Sequence, residues 1–397
     1  MRRFLIVIAA CIGLLAAAAA ADEGTIERRI DDVSDVPAEA RLALYTAQQL
    51  REEGDPDGAV NVILDFLEEH PEQDHFLVRF HLAASWARRG SLEEALGSYQ
   101  RSVEMEPLFA QGWLNLGELA YNLGRYELAA SALATGYETS EWKDSSVLFF
   151  SAAALVMAER PAEATPILED LVSGGHGDPT MEWHRALIMA YLDLEDAERG
   201  EAAVDRMLRQ FRDDPDAWRL AFRYFASAGD YENAAIALTI GGYLRDLTRE
   251  EEMQLGDLFL AVGIPAQASA YYAGALAGGG SRDDLERLAS AYLASYEFEA
   301  ALEAINRALD EEPTPRLWSL LGDLHFMRKD YEASFEAYRR CAEADPEFAR
   351  AYLMMGYCAI QMERMADAVA PLERAAEFPD QSAKAGQLLA AVKQLIE

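Results

Sequence analysis

The sequence predicts an all-α chain built as a stacked array of helical hairpins. Three observations predict it. A self-similar unit of about 34 residues runs through almost the whole chain: Gly90 to Gly124, Gly229 to Gly263 and Gly322 to Gly356 are each 34 apart, and so are Ala95 to Ala129 and Ala234 to Ala268. Helix-forming Ala, Leu and Glu dominate, and the period-two alternation of strands is absent. Gly and Pro recur at the places where a helical hairpin turns and ends. A globule of 397 residues would split into two or three domains. An array escapes that rule, because each unit buries its apolar face on its neighbours alone. The expectation is one elongated domain without an internal linker.

The elements follow in order. Ten units are read at 40–73, 76–109, 110–143, 145–178, 181–214, 215–248, 249–281, 282–314, 315–348 and 349–380, with an unpartnered helix at 381–396. The clearest copy carries Trp113, Leu116, Gly117, Tyr121, Gly124, Tyr126 and Ala129. Trp218, Gly229, Tyr231 and Ala234 repeat the order, as do Trp318, Leu321, Gly322 and Tyr331. Gly117, Gly322 and Gly356 belong where two helix backbones cross closely. Gly90, Gly124 and Gly229 belong at the turn, where a positive φ costs Gly least. Each Trp lies 13 residues before its Tyr, so both are expected to fill the gap between the helices of one pair. Pro71, Pro107, Pro215, Pro313 and Pro346 mark unit ends. Unit 181–214 matches the pattern worst, and unit 145–178 has Ala152 for the Gly and Pro161 for the aromatic.

These residues and their spacing resemble the tetratricopeptide repeat, of an exported bacterial type. The resemblance covers nearly the whole chain after residue 40. It implies a right-handed superhelical solenoid of about ten helix–turn–helix repeats (40–380) with a C-terminal capping helix (381–397). It also implies that the first helix of each unit lines a concave groove holding extended peptides or partner helices. The residues expected there are Phe80, Asn115, Glu118, Tyr121, Asn122, Phe149 and Phe150 in the early units, Arg219 and Arg223 in the middle, and Phe326 and Tyr357 late. Aromatic residues grip ligand side chains. Asn115 suits a peptide backbone, and Arg219 and Arg223, four apart, suit a carboxylate. A carboxylate clamp for chaperone C-termini is not expected, since Phe80, Ala84, Ser146 and Phe150 occupy its other slots.

The first 21 residues differ. Arg2 and Arg3 precede an apolar run from Phe4 to Leu15, then an Ala tract ending at Ala21, the parts of a secretory signal peptide. Cleavage after Ala21 leaves an acidic arm, 22–39, and a periplasmic or secreted chain. Two other readings stay open: lipidation at Cys11, after Ile8-Ala9-Ala10, and retention of the run as a membrane anchor. Membrane contact is expected only in those two cases.

The chain has 35 Lys and Arg against 69 Asp and Glu, a net charge of −34; without residues 1–21 the balance is −36. Such a chain repels nucleic acid and anionic lipid, and its acidic faces keep a long array soluble. Cys341 and Cys358 lie on adjacent helices, where a disulfide and a pair of small core thiols are both open readings.

No phosphate-binding loop, nucleophile elbow or His-Glu-x-x-His motif occurs, and the six His residues form no ligand pair at helical spacing. The expectation is a non-enzymatic scaffold without cofactor or metal, binding protein or peptide partners. The alternative is an accessory protein that binds a glycan or polysaccharide during export.

Overall fold

The structure is a computed structural model describing residues 36–396. The leader, the Cys11 motif and most of the acidic arm lie outside the described residues. Among these there are twenty-one α-helices, one short 3-10 turn and no strand. Nine antiparallel pairs, two further helices in mid-chain and a last single helix account for them. The pairs are α1 (Ala38–Glu52) with α2 (Pro56–Glu69), α3 (Phe76–Arg89) with α4 (Leu92–Met105), and α5 (Ala110–Asn122) with α6 (Tyr126–Thr139). Next come α7 (Ser145–Met157) with α8 (Pro161–Val172), then the two further helices α9 (Met181–Asp193) and α10 (Ala197–Gln210), and the pair α11 (Pro215–Ala228) with α12 (Tyr231–Leu244). The series ends with α13 (Arg249–Ala261) and α14 (Pro265–Ala275), α15 (Arg282–Ala294) and α16 (Phe298–Glu311), α17 (Pro315–Met327) and α18 (Tyr331–Ala344), and α19 (Ala349–Gln361) and α20 (Met365–Ala376). The single helix α21 (Pro379–Ile396) packs on α20. Taken two by two along the chain, these helices coincide with the ten units read from the sequence.

The chain divides into two compact units at Glu195/Asp196. That point falls inside the fifth unit read from the sequence, where the repeat pattern is weakest. The first unit holds α1 to α9; the second holds α10 to α21. In each, successive helices pack on one another, and the buried residues form small clusters passed from pair to pair. The clusters around Ile63, Ile305 and Leu372 each draw on neighbouring helices, as expected where a repeat contacts its neighbours.

Every hairpin turn places one residue in the left-handed region. Gly54, Gly90, Gly124, Gly229 and Gly263 do so at five turns; Glu159, Glu195, Tyr296, Lys329 and Glu363 do so at the other five, with φ between 55° and 63°. The backbone φ is therefore common to all ten turns, while glycine supplies it in only half. In the rest, packing on either side of the turn holds an L-residue where its side chain is disfavoured.

The close helix crossings follow a rule that the Trp–Tyr spacing does not capture. A Cβ added to Gly117 would meet Leu133, and one added to Gly322 would meet Tyr338; Gly256 faces Tyr272 and Gly356 faces Leu372 in the same way. Each partner lies sixteen residues after its glycine, on the second helix of the same pair. Ala47 and Ile63, Ala83 and Tyr99, Ala152 and Leu168, and Ala289 and Ile305 stand at the same offset, and all are buried. A small residue against a large one thus recurs through the array.

Tyr126 and Tyr331 meet rings of the first helix of their own pair, Tyr121 and Phe326, each at 5.5 Å, as expected; Trp113, Trp218 and Tyr231 depart from the expected gap-filling. The Trp113 indole donates to the Pro107 carbonyl at 2.9 Å and that of Trp218 to the Arg212 carbonyl at 2.7 Å, so these rings seal the loop before their own helix. Tyr231 is half exposed and fills no gap. Pro215 is the first residue of α11, where its missing N–H costs nothing. Cys341 and Cys358 are free thiols, fully buried in one cluster with Tyr338, and Cys358 bonds the Ser334 hydroxyl at 3.2 Å.

Candidate partner-binding face

In the first unit the face worth attention belongs to α5 and α7. Asn115, Glu118 and Asn122 recur at i, i+3 and i+7 on α5, and therefore share one side of the helix. Tyr121 adjoins them and meets the ring of Phe150 on α7 edge-on, with centroids 6.4 Å apart; Tyr126 lies 5.5 Å from Tyr121 on its other side. Phe150 in turn lies 5.7 Å from Phe149. Tyr121, Phe149 and Phe150 are half-buried, and Asn122 is exposed. Helix α7 has no charged residue anywhere along it. Most helices here have a buried stripe and a charged one; α7 is apolar all round, with Val147, Leu148, Phe149, Phe150, Val156 and Met157 all half-buried.

The polar groups on this face are unequal. Asn115 is already tied: its amide accepts from Gln111 at 2.7 Å and donates to the Tyr99 hydroxyl at 3.3 Å. Glu118 makes no hydrogen bond or ion pair among the described residues, and burial raises its carboxyl above the usual range with no cation opposing the shift. The sequence counted Glu118 among the groove residues but gave no reason to single it out.

Phe80 does not belong to an open face. It is 3% exposed and lies edge-on to Phe109 and Tyr99, at 5.1 and 5.5 Å. Beside it, His81 is buried, and desolvation followed by the nearby Arg51 charge pushes its imidazole down to about 3.

In the second unit Arg219 and Arg223 do not form a joint carboxylate grip. Arg219 is spent within the protein, 3.3 Å from Glu251 and 3.3 Å from Asp216. Glu251 is a buried junction: Arg245 reaches it at 2.5 Å, and it closes a capping box with Thr248 at the start of α13. Burial alone would raise this carboxyl; the hydrogen bonds from Arg245 and Thr248 and the charges of Arg245 and Arg219 outweigh it and hold the carboxyl at about 2. Arg223, one turn further along α11, is exposed and has no ion pair among the described residues. Phe326 is half-buried, edge-on to Tyr331 at 5.5 Å, and packs against the Tyr338 cluster. Tyr357 packs at the edge of the cluster around Leu353 and Leu372.

Among the described residues no group of three His, Cys, Asp or Glu side chains is placed to hold a metal ion. No helix among them is long and apolar enough to cross a membrane.

Tandem helical hairpins, with small residues at the crossings and a partly open first-helix face, define a helical-repeat protein of the interaction class. The tetratricopeptide repeat model matches residues 44–107, 87–145, 185–239, 286–347 and 330–383, which is more than half of the chain. The chain belongs to the tetratricopeptide repeat family. No curated protein matches it. Solved structures similar to it include MamA, at 22% identity and a TM-score of 0.38 over 41% of this chain and 96% of that one. A tetratricopeptide repeat protein from Parabacteroides merdae ATCC 43184 is similar at 14% identity and a TM-score of 0.38, over 64% of this chain and 98% of that one. The Naa15/Naa10 complex bound to HypK-THB contains a chain similar at 13% identity and a TM-score of 0.47, over 96% of this chain and 63% of that one.

Proposed function

We propose that this protein is a non-enzymatic scaffold of the bacterial cell envelope that holds a protein partner on the first-helix face of its repeats. The observation that carries the reading is the α5–α7 face, where Tyr121, Phe149 and Phe150 are half open beside an uncharged helix, within a family whose fold serves protein–protein interaction. Partly exposed aromatics on rigid helices make good anchors, because little side-chain entropy is lost when they are covered. The envelope assignment rests on the signal-like residues 1–21.

The test uses the tagged full-length chain in a diderm bacterial host. Fractionation is expected to recover a shortened chain in the periplasm, with an N-terminus at Asp22. Crosslinking in envelope extracts is expected to capture a discrete protein, lost with Tyr121→Ala and Phe150→Ala but kept with Glu104→Gln on α4. An unprocessed cytosolic chain would refute the envelope assignment. Capture indifferent to Tyr121 and Phe150, or retention of soluble glycan without protein, would refute the face.

A further inference from the structure

Resting on the scaffold reading, we propose that the α5–α7 face takes an apolar segment of a partner protein that carries a single Lys or Arg, with the cation seated on Glu118. Three observations meet here. Glu118 lies between Asn115 and Tyr121 on the face that reaches Phe150, so an occupant on those rings passes the carboxylate. The cations of the neighbouring elements are engaged elsewhere: Arg125 pairs with Glu93 at 3.0 Å, Arg160 with Glu163 at 2.6 Å, and Lys143 donates to the carbonyls of Tyr137 and Glu138. Burial acts on the Glu118 carboxyl with nothing to offset it. A half-desolvated carboxylate without a counter-ion costs folding energy, and a cation from outside recovers it. The remainder of the face is α7, which has no charge to repel or attract and offers mainly apolar contact.

The complementarity is local. A chain of net charge −34 attracts any basic peptide weakly and at long range, and salt screens that attraction. One unpaired carboxylate among aromatic rings discriminates a single seated cation instead.

The experiment uses the full chain and a synthetic Leu/Phe-rich peptide with one central Lys and Gly-Ser ends, compared with the same peptide bearing norleucine in place of Lys. Affinities are read by fluorescence anisotropy at physiological salt. The Lys peptide is expected to bind about tenfold or more tighter than the norleucine peptide. Glu118→Gln removes that difference and leaves norleucine binding unchanged, Phe150→Ala weakens both peptides, and Glu94→Gln on α4 changes neither. Equal binding of the two peptides, equal losses in Glu118→Gln and Glu94→Gln, or no binding of either overturns the inference. If partner capture in the envelope still depends on Tyr121 and Phe150 in that event, the scaffold reading stands without it.

Discussion

The small-against-large rule at the helix crossings makes its sharpest prediction at Gly322. A Cβ there would lie 2.8 Å from both Cε2 and Cζ of Tyr338 and 2.9 Å from its Cδ2. The ring has no room to yield. Tyr338 is fully buried, its hydroxyl donates to Asp323 at 2.5 Å, and Asp323 is held from the next pair by Arg350 at 2.5 and 2.9 Å. Overlap with three ring atoms that cannot rotate away costs about 2–3 kcal/mol. Alanine in place of glycine inside a helix returns about 1 kcal/mol. Gly322→Ala is therefore expected to destabilise the pair α17–α18 by about 1–2 kcal/mol.

The preceding pair supplies the control. Ala289 and Ile305 occupy the corresponding positions, so the double variant Gly322→Ala with Tyr338→Ile copies a combination the chain already uses. Tyr338→Ile alone loses the bond to Asp323 and leaves a gap. The double variant loses the bond but fills part of the gap, so it is expected to be more stable than the two single losses sum to, by about 1 kcal/mol. Urea unfolding followed by far-UV circular dichroism gives the totals, and amide hydrogen exchange on α17 and α18 assigns the loss to that pair. A Gly322→Ala protein as stable as the parent, or a double variant whose loss is additive, would refute the packing rule.

Three further outcomes are expected. At the turns, Lys329→Gly relieves a left-handed residue and stabilises by about 0.5–1 kcal/mol, while Gly263→Ala, where an added Cβ meets nothing within 4 Å, costs about 1 kcal/mol for conformation alone; matched urea midpoints check both. Glu251, held at about 2 against 4.5 unfolded, contributes stability that is complete above 4.5 and is lost as pH falls towards 2, by at most about 3 kcal/mol; stability measured across that window should fall less steeply in Glu251→Gln, and an unchanged slope would count against the junction. Cys341 and Cys358, whose thiols burial pushes up to about 12 and 11, should resist alkylation in the native protein and react together on unfolding, as read by mass spectrometry; a disulfide in the purified protein would contradict the free thiols.

The fold was legible because its constraints act through spacing. A helix pair of fixed length needs a turn and a close crossing at fixed places, and those leave a 34-residue period in the chain even where the residues drift. What escaped was chemistry that several residue types satisfy equally well. Five turns use Glu, Tyr or Lys where the geometry favours glycine, so glycine spacing reveals only half of them. The sixteen-residue partnership was hidden because Leu, Ile and Tyr all serve as its large member, whereas the Trp–Tyr interval, easier to see, joins residues with different tasks: the indoles of Trp113 and Trp218 seal loops.

The candidate face was harder to read for a different reason: apolar residues on a first helix serve both core and surface. Phe80 and Phe149 are each the fifth residue of their helix, yet Phe80 is closed over and Phe149 is half open. The difference lies at the N-cap of the following first helix. Phe109 caps α5 and lays its ring on Phe80 at 5.1 Å, whereas Thr180, a small polar cap that bonds the Trp183 amide at 3.3 Å, stands before α9 and brings no ring towards α7. The aromatic cap of α5 thus closes over the fifth residue of α3, and the cap of α9 has no ring to do the same for α7. For these two helices the difference is set by a residue one unit later, which a reading confined to each unit's own pattern does not reach.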